Sequence, residues 1–177
     1  MAYEIRLERD RQPAFAAFDP PKAASAAFLT LVRARQLAIS ALASVPQPIN
    51  PLVLPAALNG ESGILVYLLA GTARPNVAVL GKHYRLLFPP DASTVSYMMP
   101  PSNEILEVPI KAPDGATPEA LAVTQVVTEF PIETHVLVSL QIELPIFVGT
   151  RRGMWRVDGA RISFLGEQIP DSPPTAP

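Results

Sequence analysis

Gly153-Met154-Trp155-Arg156-Val157-Asp158-Gly159-Ala160-Arg161-Ile162-Ser163-Phe164 holds an Asp-Gly pair between two alternating runs, the strongest short-range signal for a β-hairpin. With Asp158 and Gly159 at the turn, Val157 is expected opposite Ala160 and Trp155 opposite Ile162, with Phe164 farther along on the same apolar face. The other face then sets Arg156 against Arg161, with Arg151 and Arg152 just upstream. Like charges directly across a ladder repel unless water, a carboxylate or a bound anion relieves them. Guanidinium groups grip carboxylates and phosphates in forked geometry, so Arg151, Arg152, Arg156 and Arg161 are a candidate surface for an anion or an acidic partner. The plainer reading is a solvated face neutralised by Glu143, Asp158 or Glu167.

Working toward the N-terminus, the apolar stretches at 121–130, 132–140 and 144–148 read as three further strands, with Pro131 a bend between the first two. Residues 64–70 are continuously apolar, which suits a central strand covered on both faces, and residues 77–88 supply its hairpin partner, with Gly81 a bulge or point of close approach. Residues 94–99 and 105–110 read as a second, shorter pair, confined to sheet edges by the prolines between them. One long helix is expected over 22–45, with Phe28, Leu31, Val32, Ala38, Ile39, Leu42 and Val45 as its buried stripe. It ends where Pro46, Pro48, Pro51 and Pro55 begin a crossover that wraps the sheet, and a strand at residues 3–9 precedes it.

These elements predict a single α+β domain over residues 1–168: one long N-terminal helix packed on a mostly antiparallel twisted sheet of about six to eight strands. An all-β sandwich or barrel with one helix is the alternative. Residues 169–177, rich in proline, are expected to be disordered.

Composition narrows the functional classes. Hydrophobic residues make up 49% of the 177 and charged residues only 17%, against about 25% charged in an average globular chain. Apolar surface in that excess is expected to be covered by association, which makes a homo-oligomer, or a protein partner, the default. A formal net charge of -2 removes the basic footprint of nucleic-acid binding, and the absence of cysteine excludes disulfides, thiolate metal sites and a cysteine nucleophile. The charged N-terminal run is no signal-peptide core, and no apolar run spans a bilayer, so a cytoplasmic protein without a membrane span is expected.

The best chemical candidate is Glu133-Thr134-His135. On a strand, Glu133 and His135 share a face, where a carboxylate can orient an imidazole base. The other histidine, His83, lies in Gly81-Lys82-His83-Tyr84-Arg85, and neighbouring strands would let His83, His135 and Glu133 or Glu129 gather about a divalent metal. Against this, neither H-x-H nor H-E-x-x-H spacing occurs, and histidines at strand edges are commonly structural, so no cofactor is implied. Gly60-Glu61-Ser62-Gly63 precedes a strand where a hydrolase elbow would follow one. Tyr97-Met98-Met99-Pro100-Pro101 offers aromatic, thioether and proline surface for a protein contact. The expectation is a non-enzymatic binding or assembly module that self-associates through apolar surface. A hydrolase or metal-assisted enzyme using His135 and Glu133 with His83, and a structural subunit of a larger assembly, are the alternatives.

Overall fold

The computed structural model describes residues 2–6, 12–18, 20, 23–42, 48–58, 61–99, 105–111, 116 and 118–167. Along the chain run β1 (Ala2–Arg6), β2 (Ala14–Phe18), α1 (Ala26–Ser40), β3 (Ile49–Leu58), β4 (Glu61–Ala70), β5 (Val77–Leu80), β6 (Tyr84–Phe88), β7 (Tyr97–Met99) and β8 (Leu106–Pro109). Then come β9 (Leu121–Thr124), α2 (Glu133–Ile142), β10 (Ile146–Thr150), β11 (Gly153–Asp158) and β12 (Arg161–Gly166). The strands form two four-stranded sheets, β3-β4-β6-β7 and β12-β11-β10-β9, and two two-stranded ladders, β1-β2 and β5-β8.

This corrects the expected architecture of one long N-terminal helix on a single sheet of six to eight strands. Among the described residues there are two short helices and a mostly β chain divided over several sheets. The N-terminal helix is 15 residues long, starting where Ser25 accepts the Phe28 amide at 3.2 Å as an N-cap. Its buried line runs through Ala34 and Ala38, one turn apart, whose small side chains let the helix lie close on the sheet. Phe28 and Ile39, expected in that stripe, are exposed, and Val45 lies outside the described residues. The wrap expected from Pro46 to Pro55 is in its later part the ten-residue edge strand β3. Pro51 and Pro55 fit there because their nitrogens, which cannot donate, are tolerated on the side facing away from β4.

The 77–88 strand breaks in two. Gly81 and Lys82 take φ of +85° and +54°, a left-handed step that ends β5 and sends β6 to another sheet. β6 pairs with β4, whereas β5 pairs with β8, so the expected pairing of 94–99 with 105–110 does not form. The stretch 132–140, read as a strand, belongs to α2, which carries the chain from β9 into its parallel neighbour β10. The residues expected to form the tail, 169–177, lie outside the described ones.

Two cores result. α1 covers one face of the first sheet, where Val66, Leu68, Leu86 and Phe88 are wholly or almost wholly buried against Ala34 and Ala38. Burying side chains of that size contributes roughly 1.5–3 kcal/mol each. α2 covers the second core through Val138, against Ala78, Leu80, Leu121, Ile146, Val148 and Val157. The Ser139 hydroxyl fastens this helix to the β11–β12 turn: it donates to Leu144 O at 2.7 Å and accepts from the Gly159 amide at 2.9 Å.

Candidate functional site

β4 alternates strictly. Ile64, Val66, Leu68 and Ala70 face α1, while Leu65, Tyr67 and Leu69 face the other way. The ladder register extends this second face straight across all four strands: Leu54 pairs with Leu65, Leu65 with Leu87, and Leu87 with Tyr97. Leu54 and Tyr97, at the two ends of that row, are 40% and 54% exposed. The next row is Leu52, Tyr67, Arg85 and Met99. Here the N-terminus of α2 approaches, and a pocket of about 180 Å³ opens between Leu52, Tyr67 and Leu69 on the sheet and Glu133, Thr134 and Leu137 on the helix.

Glu133 is the polar centre of that seam. Its Oε1 accepts from Tyr67 Oη at 2.7 Å and from Arg85 Nη1 at 2.6 Å. Although burial alone would raise the Glu133 carboxyl, the Tyr67 and Arg85 donors hold it below the usual carboxylate range. Burial first, and then donation to Glu133, pushes the Tyr67 phenol up to about 12. A carboxylate held ionised by two donors is a poor proton acceptor, so the cluster serves as a joint between α2 and the sheet.

His83 is likewise committed. Its Nδ1 accepts the Ala70 amide at 3.0 Å and its Nε2–H donates to Val79 O at 3.1 Å, tying the end of β4 to β5. Both ring nitrogens are then occupied by backbone and neither lone pair is left for a metal. Burial pushes its imidazole below the ordinary value. His135, 8% exposed, stands on the first turn of α2, where its Nδ1 accepts the Ile132 amide at 3.0 Å. Burial, with the nearby His83 adding to it, brings this imidazole down to about 4. The two histidines are thus electrostatic neighbours, as the sequence reading required of a shared site, yet each is used as a neutral hydrogen-bonding strut. Among the described residues no group of three or more His, Asp or Glu is arranged to hold a metal ion. Because 133–142 is helical, Glu133 and His135 do not share a face as they would on a strand.

The four arginines fall into two groups, Arg156 with Arg161 on one face of the hairpin and Arg151 with Arg152 at the far end of β11. The β11–β12 register pairs Asp158 with Arg161, Val157 with Ile162, Arg156 with Ser163 and Trp155 with Phe164. The two turn residues are Gly159, at φ +54°, and Ala160, so the ladder is slipped by one residue from the expected Asp-Gly turn. A glycine at the first central position suits a type II′ turn, and it sets Arg161 opposite a carboxylate where Arg156 was expected. Arg156 donates to Asp158 Oδ2 at 2.6 Å. Arg151 and Arg152 form the turn at the other end of β11, and a strand rise of about 3.4 Å per residue puts the two turns about 17 Å apart. The Arg152 guanidinium lies 5.0 Å from the Phe130 ring centroid, in a stack that continues through Trp155 to Phe164.

Of the pocket residues, sequence reasoning offered Glu133 alone and missed Tyr67, Thr134 and the three leucines. A lone tyrosine in an aliphatic run was the available signal, since a buried phenol needs a hydrogen-bond partner. Tyr97 and Met98, for which contact surface and core were both open, are exposed, and Ser62 is an exposed residue of β4. No helix among the described residues is long and apolar enough to cross a membrane. No protein-family model matches the chain, and neither a curated protein nor a solved structure matches it with significance.

Proposed function

We propose that the protein is a non-enzymatic assembly module that associates with copies of itself through the face of the β3-β4-β6-β7 sheet turned away from α1. The observation that carries this reading is the row Leu54-Leu65-Leu87-Tyr97, apolar across four strands and exposed at both its ends. The neighbouring row carries one charge, Arg85, and Glu133 neutralises it within the chain. A face that meets its own copy must avoid opposing like charges, and this one satisfies that condition. Edge pairing through β3 is discouraged by Pro51 and Pro55.

The test is light scattering on the full chain over micromolar concentrations. The wild type is expected to be a multimer, and Leu54→Asp with Tyr97→Asp, at exposed positions, to give a folded monomer. A wild type that stays monomeric throughout sinks the reading. A structural subunit of a larger assembly would use the same row for a different protein, and self-association of the isolated chain is what separates the two. Hydrolytic or metal-assisted chemistry at His135, Glu133 and His83 draws no support from their placement, because each histidine's Nδ1 is spent on a backbone amide and Glu133 Oε1 on Arg85 and Tyr67.

A further inference from the structure

We propose that the first turn of α2 is an acid-opened latch: a proton on His135 breaks its bond to the Ile132 amide and lifts Glu133, Thr134 and His135 off the first sheet while both cores stay folded. The latch does not depend on self-association.

The turn is lightly fastened. Ile132 stands at the N-cap of α2 and has no side-chain oxygen to accept the free amides of the helix start. His135 supplies a bond in the other direction, its Nδ1 accepting the Ile132 amide at 3.0 Å while its own amide donates to Ile132 O at 2.9 Å. Its Nε2 meets no hydrogen-bond partner among the described residues, so one polar contact holds a ring that is 8% exposed. His83 differs. Both its nitrogens bond backbone, at Ala70 and Val79, which fixes it between β4 and β5 and makes His135 the histidine that can leave.

The bond requires a neutral ring. A proton on Nδ1 removes the acceptor and sets N–H against N–H. It also places a buried positive charge on the first turn of a helix, the end where the macrodipole disfavours cations. Swinging the ring into water relieves these costs together.

Few other charges act on the turn. His83 opposes a charge on His135, and Glu133 favours one. Tyr67 on β4 and Arg85 on β6 reach the turn through Glu133, and the half-exposed pair with Arg85 is only a weak restraint. Of the strands packed on α2, β5 carries no titratable side chain, and on β11 Arg156 and Asp158 pair with each other. Burial outweighs the help from Glu133. The closed imidazole sits at about 4 against 6.5 in water, so the ratio of open to closed latch rises about tenfold per pH unit as pH falls across that window. Opening takes Glu133 and Thr134 from the wall they share with Leu52, Tyr67 and Leu69, which uncovers that strip of the sheet.

Amide hydrogen exchange by NMR between pH 7 and 4 tests this, on the wild type and, to remove any shielding by association, on the full chain carrying Leu54→Asp and Tyr97→Asp. Protection of the Ile132 and His135 amides, corrected for the intrinsic pH dependence of exchange, should fall about tenfold per pH unit below 6.5, while Val66, Leu86 and Val148 keep theirs. His135→Gln keeps an acceptor but takes no proton, so protection at Ile132 should become level. His83→Gln should leave the fall in place. The proposal is overturned by Ile132 protection that stays level to pH 4 in the wild type, by a loss in step with Val66 and Val148, which is whole-chain unfolding, or by a fall that survives His135→Gln. Should His135→Gln fail to fold, the wild type decides: the Ile132 amide and Tyr67 ring signals must shift with the midpoint of the His135 Cε1–H titration, and different midpoints overturn the proposal.

Discussion

Glu133 Oε1 accepts from Arg85 Nη1 at 2.6 Å, joining the first residue of α2 to a strand 48 residues earlier in the chain. With the Tyr67 bond to the same oxygen, it is the polar link between the helix of one core and the sheet of the other. Side chains in this pair are 35% and 41% exposed, so solvent screens much of their attraction. Glu133→Gln is therefore expected to cost about 1 kcal/mol in urea denaturation, not the several expected of a buried pair. Its sharper signature is optical. The Tyr67 titration, followed by ultraviolet absorbance, should fall from about 12 toward, though not to, the ordinary 10, because burial remains after the carboxylate is gone.

Acid should weaken the protein before its carboxylates titrate. His135 has a folded value of about 4 against 6.5 for the free side chain, so between those values the unfolded chain takes up a proton that the folded one refuses. Stability from this group is fully present above pH 6.5 and is lost as pH falls through that window toward 4. From His135 alone, stability at pH 5 should be roughly 2 kcal/mol below that at pH 7.5. His83, also depressed by burial, acts in the same direction, and Glu133 adds its loss at lower pH because its carboxyl is held down in the fold. His135→Gln keeps an acceptor for the Ile132 amide and should flatten the slope. An unchanged slope would show that other groups set the acid response.

The chain has one tryptophan, which makes the aromatic stack directly observable. Trp155 lies 4.7 Å from Phe164 and 5.4 Å from Phe130, and its Nε1–H donates to Thr150 Oγ1 at 3.1 Å. Phe164→Ala uncovers one side of the indole. Emission should shift to longer wavelength and stability should fall by about 1–2 kcal/mol, given that Phe164 is only half-buried. Phe164→Leu should retain much of the stability but less of the spectral protection.

What was legible in the sequence was local. The alternation around Asp158-Gly159 gave the hairpin and the membership of its apolar face, yet the turn slipped by one residue because Gly159, with Ala160, took the central positions. That slip set Arg161 opposite Asp158 and left Arg156 diagonal to it on the same face. α2 was hidden by its composition: Thr134, Val136 and Val138 alternate like a strand, while the residues it buries, Thr134, His135, Val138 and Ser139, repeat at helical spacing but include three polar side chains. β3 was hidden by prolines that an edge strand accommodates on its outer side. The site depends on contacts between Tyr67, Arg85 and Glu133, far apart in sequence, and no periodicity within one element encodes them.

Two glycines in the C-terminal sheet should respond differently to the same substitution. Gly159 has φ +54°, and an added Cβ would meet Leu140 Cδ2 at 3.5 Å, an ordinary contact. Gly159→Ala therefore carries only the left-handed backbone penalty, about 1 kcal/mol. Gly153 has φ +137°, and an added Cβ would collide with the backbone carbonyl of Gly166 and press on the Phe164 ring. That carbonyl belongs to the neighbouring strand at the bulge between Met154 and Trp155, so relief requires β11 and β12 to move apart. Gly153→Ala is expected to cost at least about 3 kcal/mol and to loosen the stack that Trp155 reports. Urea midpoints with tryptophan fluorescence as the probe separate the cases. Equal losses at the two positions would mean that β12 does not approach β11 as closely at Gly153 as the fold requires.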